Sequence, residues 1–137
     1  MRVFVGSPAS EEKSGFTNLT LDQLDKIENG EAAHVECDGI LSSYKNSEFL
    51  GILSLVSKKV KIGGTITIIE PDISLLLVQH AVHNSITLQE LNDHIFCNGP
   101  IGCVLDLEGV CNFLSSNFSV STNKFQGSIY IQGKRLK

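Results

Sequence analysis

Three carboxylates stand where short apolar runs end. Asp38 closes the run AAHVECD, and Glu70 and Asp72 bracket Pro71 at the end of TITIIEPD. A proline holds the residue before it extended, so the Glu70 and Asp72 side chains could both face a crevice and touch a substrate or take its proton. The alternative for Asp72 is a helix cap ahead of Ile73, and an acid such as Asp38 at a strand end can cap in the same way. His80 and His83, and then His94 and Cys97, are each three apart, the spacing that puts two metal ligands on one helical face. Neither pair fits the spacing of a structural zinc site, so no metal site is expected. Cys37 has no cation or helix start beside it to favour a thiolate, and reads as a buried, inert thiol.

The elements that would position these acids lie in the same stretch. An apolar run, AAHVECDGIL at 32–41, an amphipathic segment, NSEFLGILSLVSKKVKIGG at 46–64, and a β-branched run at 65–69 make strand, crossover helix and strand, one βαβ unit of a parallel sheet. Ligands of such sheets sit beyond the carboxyl ends of the strands, where Asp38, Glu70 and Asp72 fall. In the helix, Phe49, Leu50, Ile52, Leu53, Leu55, Val56 and Val60 fall mostly on one broad face. Lys58, Lys59 and Lys61 are expected in its last turn, as a solvated end suited to the helix dipole, with Gly63 and Gly64 stopping it.

Upstream, residues 2–5 form a short buried strand ending at Gly6, and 16–21 a second strand. Leu21, Leu24 and Ile27 imply one or two helical turns stopped by Asn29 and Gly30. Downstream, the apolar segment ISLLLVQHAVH is expected to pack on the sheet as a helix. Thr87 and Glu90 form a capping box for LQELNDHIF, and Asp106 caps LEGVCNFLSSN. Strands at 118–121 and 128–132, linked by TNKFQG, make an antiparallel hairpin at a sheet edge.

The chain of 137 residues suits one domain, 1–137, with a single core. Its formal net charge of -4 and lack of tryptophan argue against gripping phosphate backbones or stacking single-stranded bases, so nucleic acid is not an expected partner. No apolar run of about 18 residues exists to span a bilayer, and the N-terminus resembles neither a secretory nor a transit signal. A cytoplasmic protein is expected, and its four cysteines, with no CxxC pair, are small core residues. Phosphate-loop, GxGxxG, GxSxG and HExxH motifs are absent.

The order of segments resembles the compact class I S-adenosylmethionine-dependent methyltransferases. The residues that carry the likeness are RVFVGS at 2–7, GFTNLTL at 15–21, AAHVECDGIL at 32–41, KKVKIGGTITIIEPD at 58–72, and the late helix with its strand pair. The resemblance implies an α/β fold, a Rossmann-like three-layer sandwich with a mostly parallel sheet and a C-terminal antiparallel strand pair. It implies S-adenosylmethionine as cofactor, lying across the first two strand ends. Gly6 and Ser7 would approach its methionine part, Asn18 and Thr20 would meet the ribose, and Asp38 would line the methyl-transfer side. Asp38, Glu70 and Asp72 would contact an unidentified acceptor or take its proton. The chain departs from the family at Pro8, where a second glycine is usual, and at Thr20, where an acid is usual. Those departures favour the alternative of an inactive member serving as a binding or assembly subunit. Apolar residues on the late helices offer a homodimer face.

Overall fold

The computed structural model describes residues 1–7, 10–44, 48–92 and 105–137. Pro8, His94, Cys97, Cys103 and the second half of the helix expected after Thr87 lie outside the described residues. β1 (Arg2–Gly6), β2 (Thr17–Leu19), β3 (Ala32–Asp38), β4 (Val60–Pro71), β5 (Phe118–Phe125) and β6 (Ser128–Arg135) form one sheet in the order β2-β1-β3-β4-β6-β5. The first four strands are parallel, and β6 runs antiparallel to both β4 and β5. The expected mostly parallel sheet with a terminal antiparallel pair is therefore present.

Alternation along the strands sends one set of side chains to the core. Val3, Val35 and Ile66 lie side by side, as do Val5, Cys37, Ile68 and Ile131. Against them pack Ile52, Leu53 and Val56 of α1 (Phe49–Lys59), and Val110 and Leu114 of α4 (Leu107–Ser115), with Leu24 of a 3-10 helix over Leu21–Lys26.

The opposite face of the sheet has a different lining. Its rows are polar: Arg2, His34, Thr65, Lys134 and Ser119 are lateral neighbours, and so are Phe4, Glu36, Thr67, Gln132 and Ser121. The 10–16 loop covers only the β1 and β3 end, laying Phe16 edge-on to Phe4 and His34 with the Arg2 guanidinium 4.2 Å from its ring centre. Parallel sheets normally bury both faces and read as continuous apolar runs. Here VEC, TITI and IYIQ alternate instead, apolar toward the core and polar on the other face.

The junction between α1 and β4 also differs from expectation. The helix ends at Lys59, and Val60, fully buried, already pairs with Ala32. Gly63 and Gly64 do not stop the helix but shape an irregularity inside β4, where the register to β3 shifts between Ala32 and His34. Gly63 takes the left-handed region at φ 77°, and Gly64 lies against the Ala33 carbonyl. Lys61 thus belongs to the strand. Lys59 is not solvated: it is 5% exposed, and its Nζ donates to the Ile27 carbonyl at 2.7 Å. Its stem covers apolar surface while its charged head caps the end of the 3-10 helix. We expect Lys59→Ala to lower the unfolding free energy by about 2–3 kcal/mol in urea titration, through lost packing and an unpaired buried carbonyl. Lys59→Met, which keeps the stem, should cost about half as much. Equal costs would leave packing of the stem without a role.

Two further expectations change. α2 (Ile73–Ala81) does not lie on the sheet: Ile73 is buried, while Leu75, Leu77 and Val78 are exposed, and the helix packs chiefly against α3 (Leu88–Asn92). In the terminal hairpin most of TNKFQG is strand, and only Gln126 and Gly127 turn. Both have positive φ, 49° and 78°, as a two-residue type I′ turn requires. The caps are as expected. Thr87 N donates to Glu90 at 2.6 Å and Glu90 N to the Thr87 hydroxyl at 3.1 Å, while Gly109 N donates to Asp106 at 3.0 Å.

Candidate functional site

Because β2, β1, β3 and β4 are parallel, their carboxyl ends share one edge of the sheet. Val5 pairs Leu19, Gly6 pairs Asp38, and Asp38 pairs Ile69, so the Gly6 turn, the end of β2 and Asp38 stand at the same edge of the sheet. Beyond the paired residues, Ser7 N still reaches the Asp38 carbonyl at 3.2 Å and Gly39 N the Ile69 carbonyl at 2.9 Å.

A cleft of about 240 Å³ opens between the ends of β1 and β2. Gly6, Ser7, Asn18 and Thr20 all line it, and Asp38 lies one strand across. Several of these groups are already engaged. A Cβ on Gly6 would fall 2.7 Å from Ser10 Cβ, so the glycine is what lets Ser10 lie against the end of β1. Ser10 Oγ accepts from Ser7 N at 3.1 Å and lies 3.1 Å from the Ser7 hydroxyl. Asn18 closes the 13–18 loop, accepting from Lys13 N at 2.7 Å and donating to the carbonyls of Lys13 and Phe16. The Thr20 hydroxyl donates to Asp22 at 2.6 Å, which brings a carboxylate to the end of β2 although Thr20 itself has none.

The three expected catalytic acids are not equivalent. Asp38 is half-buried, and burial, then the neighbouring Glu36, raise its carboxyl above the ordinary value while Lys13 opposes. Glu70 is 1% exposed, and its two oxygens accept from Leu41 N at 2.8 Å and Ser42 N at 3.2 Å. Burial raises its carboxyl too, with the Ser42 and Leu41 donors pulling the other way. Asp72 is 4% exposed; it caps α2 by accepting from Leu75 N at 3.1 Å and lies 3.7 Å from Lys124 Nζ. Glu70 and Asp72 therefore do not face a shared crevice. Alternation alone would put these two side chains on one face; they part because β4 ends at Pro71 and Asp72 turns into α2, so Glu70 meets the amides of the 41–42 turn and Asp72 that of Leu75.

Cys37 is buried, and burial followed by the Glu70 charge pushes its thiol far up. His80 Nδ1 lies 3.0 Å from the Ile86 carbonyl, which fixes the α2 to α3 turn. Among the described residues no three His, Cys, Asp or Glu side chains cluster as metal ligands.

Sequence reasoning missed Glu11 and Glu12, which line the cleft, together with Ser10 and Asp22. Two adjacent acids directly after the Gly6 turn were the available signal, as was an acid two residues beyond Thr20.

No protein-family profile matches the chain, and no curated protein matches it in sequence. Solved structures do match in fold. A SAM-dependent methyltransferase from Archaeoglobus fulgidus superposes with a TM-score of 0.66 at 11% identity, over 98% of this chain and 86% of that one. An O-methyltransferase family protein from Burkholderia thailandensis gives 0.61 at 18% identity, over 89% of this chain and 36% of that one. Human N-acetylserotonin methyltransferase, solved with SAM, gives 0.60 at 16% identity, over 99% and 40%. The chain spans little more than a third of the Burkholderia protein. At these identities the likeness is one of fold: this is a mixed α/β sheet of the kind found in SAM-dependent methyltransferases.

Proposed function

We propose that the chain binds S-adenosylmethionine in the cleft between β1 and β2 and transfers its methyl to an acceptor approaching over Asp38. The observation that carries this reading is the strand register, which brings Gly6, the end of β2 and Asp38 to one edge of the sheet, beside the cleft. The residues present suit a cationic ligand bearing hydroxyls. Glu11 and Glu12 line the cleft, and Asp22, held by Thr20, offers the carboxylate that a ribose diol needs.

When bound, the cofactor supplies an electrophilic methyl on a sulfonium, which an acceptor displaces in line. The work left to the protein is positioning. The Ser7 and Ser10 hydroxyls would orient a carboxylate at the turn, Asp22 would hold the ribose, and Asp38 Oδ would take the acceptor proton. Its raised carboxyl makes it a better base than an ordinary aspartate. Glu70 contributes by fixing the 41–42 turn beside Asp38, and Asp72 by starting α2.

A second reading, a methyltransferase-fold binding subunit without catalysis, is favoured by one observation: Ser10 occupies both the space beside Gly6 and the Ser7 amide. Isothermal titration with S-adenosylmethionine and S-adenosylhomocysteine separates the two. We expect micromolar binding and a loss of about tenfold or more with Asp22→Ala. Thr20→Asp should bring no gain, because it sets a second carboxylate against Asp22. Absence of heat at millimolar cofactor would leave the binding-subunit reading.

A further inference from the structure

The open part of the polar sheet face, away from the cleft, holds a groove of about 340 Å³ across β3, β4, β6 and β5. Hydroxyls from Thr65, Thr67, Ser119 and Ser121 line it, together with His34 and Lys134, and no carboxylate does. In a protein of net charge -4 that is a selective arrangement. The acid nearest in register, Glu36, belongs to the next row and is held by Lys13 Nζ at 2.5 Å. Lys134 is exposed, and among the described residues it makes no ion pair.

Register sets the geometry. His34, Thr65, Lys134 and Ser119 form one lateral row, so donors stand on neighbouring strands about 4.8 Å apart. An oxyanion seated over Lys134 would have Thr65 on one neighbouring strand and Ser119 on the other. Thr65 Oγ1 lies 2.7 Å from His34 Nδ1, which leaves Nε2 as the ring's other polar atom, 3.8 Å from Glu36. With one unpaired ammonium, a row of hydroxyls and no acceptor-only groups, the groove suits a tetrahedral anion better than a neutral sugar.

We infer that this face is a binding site for a phosphate group, with Lys134 as its point charge and Thr65 and Ser119 as hydroxyl donors. The site is separate from the cleft between β1 and β2 and does not depend on cofactor binding there.

The test is a titration of the ¹⁵N-labelled full chain with potassium phosphate and with phenyl phosphate, followed by amide shifts, with potassium chloride at matched ionic strength as reference. Saturable millimolar binding, with the largest shifts at Thr65, Ser119, Gln132 and Lys134, is expected. Tighter binding of phenyl phosphate identifies an ester as the ligand, and equal binding identifies free phosphate. Lys134→Gln should weaken either by about tenfold, and the exposure of Lys134 lets the variant keep its urea midpoint. Shifts that chloride reproduces, or affinity unchanged in Lys134→Gln, would overturn the inference.

Discussion

Replacing Glu70 by alanine should lower the unfolding free energy by about 3 kcal/mol, because it strands the amides of Leu41 and Ser42 in a buried site and leaves a void beneath them. Glu70→Gln keeps one acceptor and the volume, so its cost should be about 1–2 kcal/mol. The glutamine variant also exposes the sign of the pH effect. Burial raises the folded-state carboxyl of Glu70 above its ordinary 4.5, so the folded chain binds the proton more tightly than the unfolded one. The stability linked to that proton is complete below 4.5 and lost as pH rises through the folded value. Asp38 acts in the same direction, while His34, held below its ordinary 6.5 by burial, opposes as pH falls. Urea midpoints at pH 7 and pH 5 should therefore show that Glu70→Gln is less destabilising, relative to the parent, at pH 7 than at pH 5. A difference that is the same at both would mean the two amide donors hold the carboxyl at its ordinary value.

Gly64→Ala should cost about 3 kcal/mol, clearly more than Gly63→Ala at about 1–2 kcal/mol. A Cβ at Gly64 would meet the Ala33 carbonyl at 2.8 Å and the Lys61 carbonyl at 2.9 Å. Both are backbone atoms within the β3 to β4 pairing and cannot rotate away. Gly63 has open space beside it, and its substitution is penalised only by its φ of 77°. The order of the two unfolding free energies checks the irregularity in β4. If alanine at 63 proved the costlier, close backbone approach at 64 would not be what requires glycine there.

Local patterns carried much of this architecture. The apolar run at β3, the β-branched run within β4, the amphipathic α1, the Thr87 and Glu90 box and the Asp106 cap depend on residues near one another in the chain, and each formed where its pattern stood. Gly6, Ser7, Asn18 and Thr20 came together at one cleft because parallel strands put all carboxyl ends on one edge.

Distant packing decided what local pattern could not. Lys58 to Lys61 read as one solvated helix end, yet burial of Val60 against Ala32 drew the strand back to residue 60 and turned Lys59 inward onto Ile27. Glu70 and Asp72 read as a facing pair, but which backbone amides each would meet depended on the 41–42 turn and on α2. Alternation in β3, β4 and β6 already marked one face apolar and the other polar. That Lys134, unpaired among the described residues, stands in one groove with His34 and the hydroxyls of Thr65 and Ser119 follows only from how six strands line up, since register between strands far apart in sequence is set by the whole core.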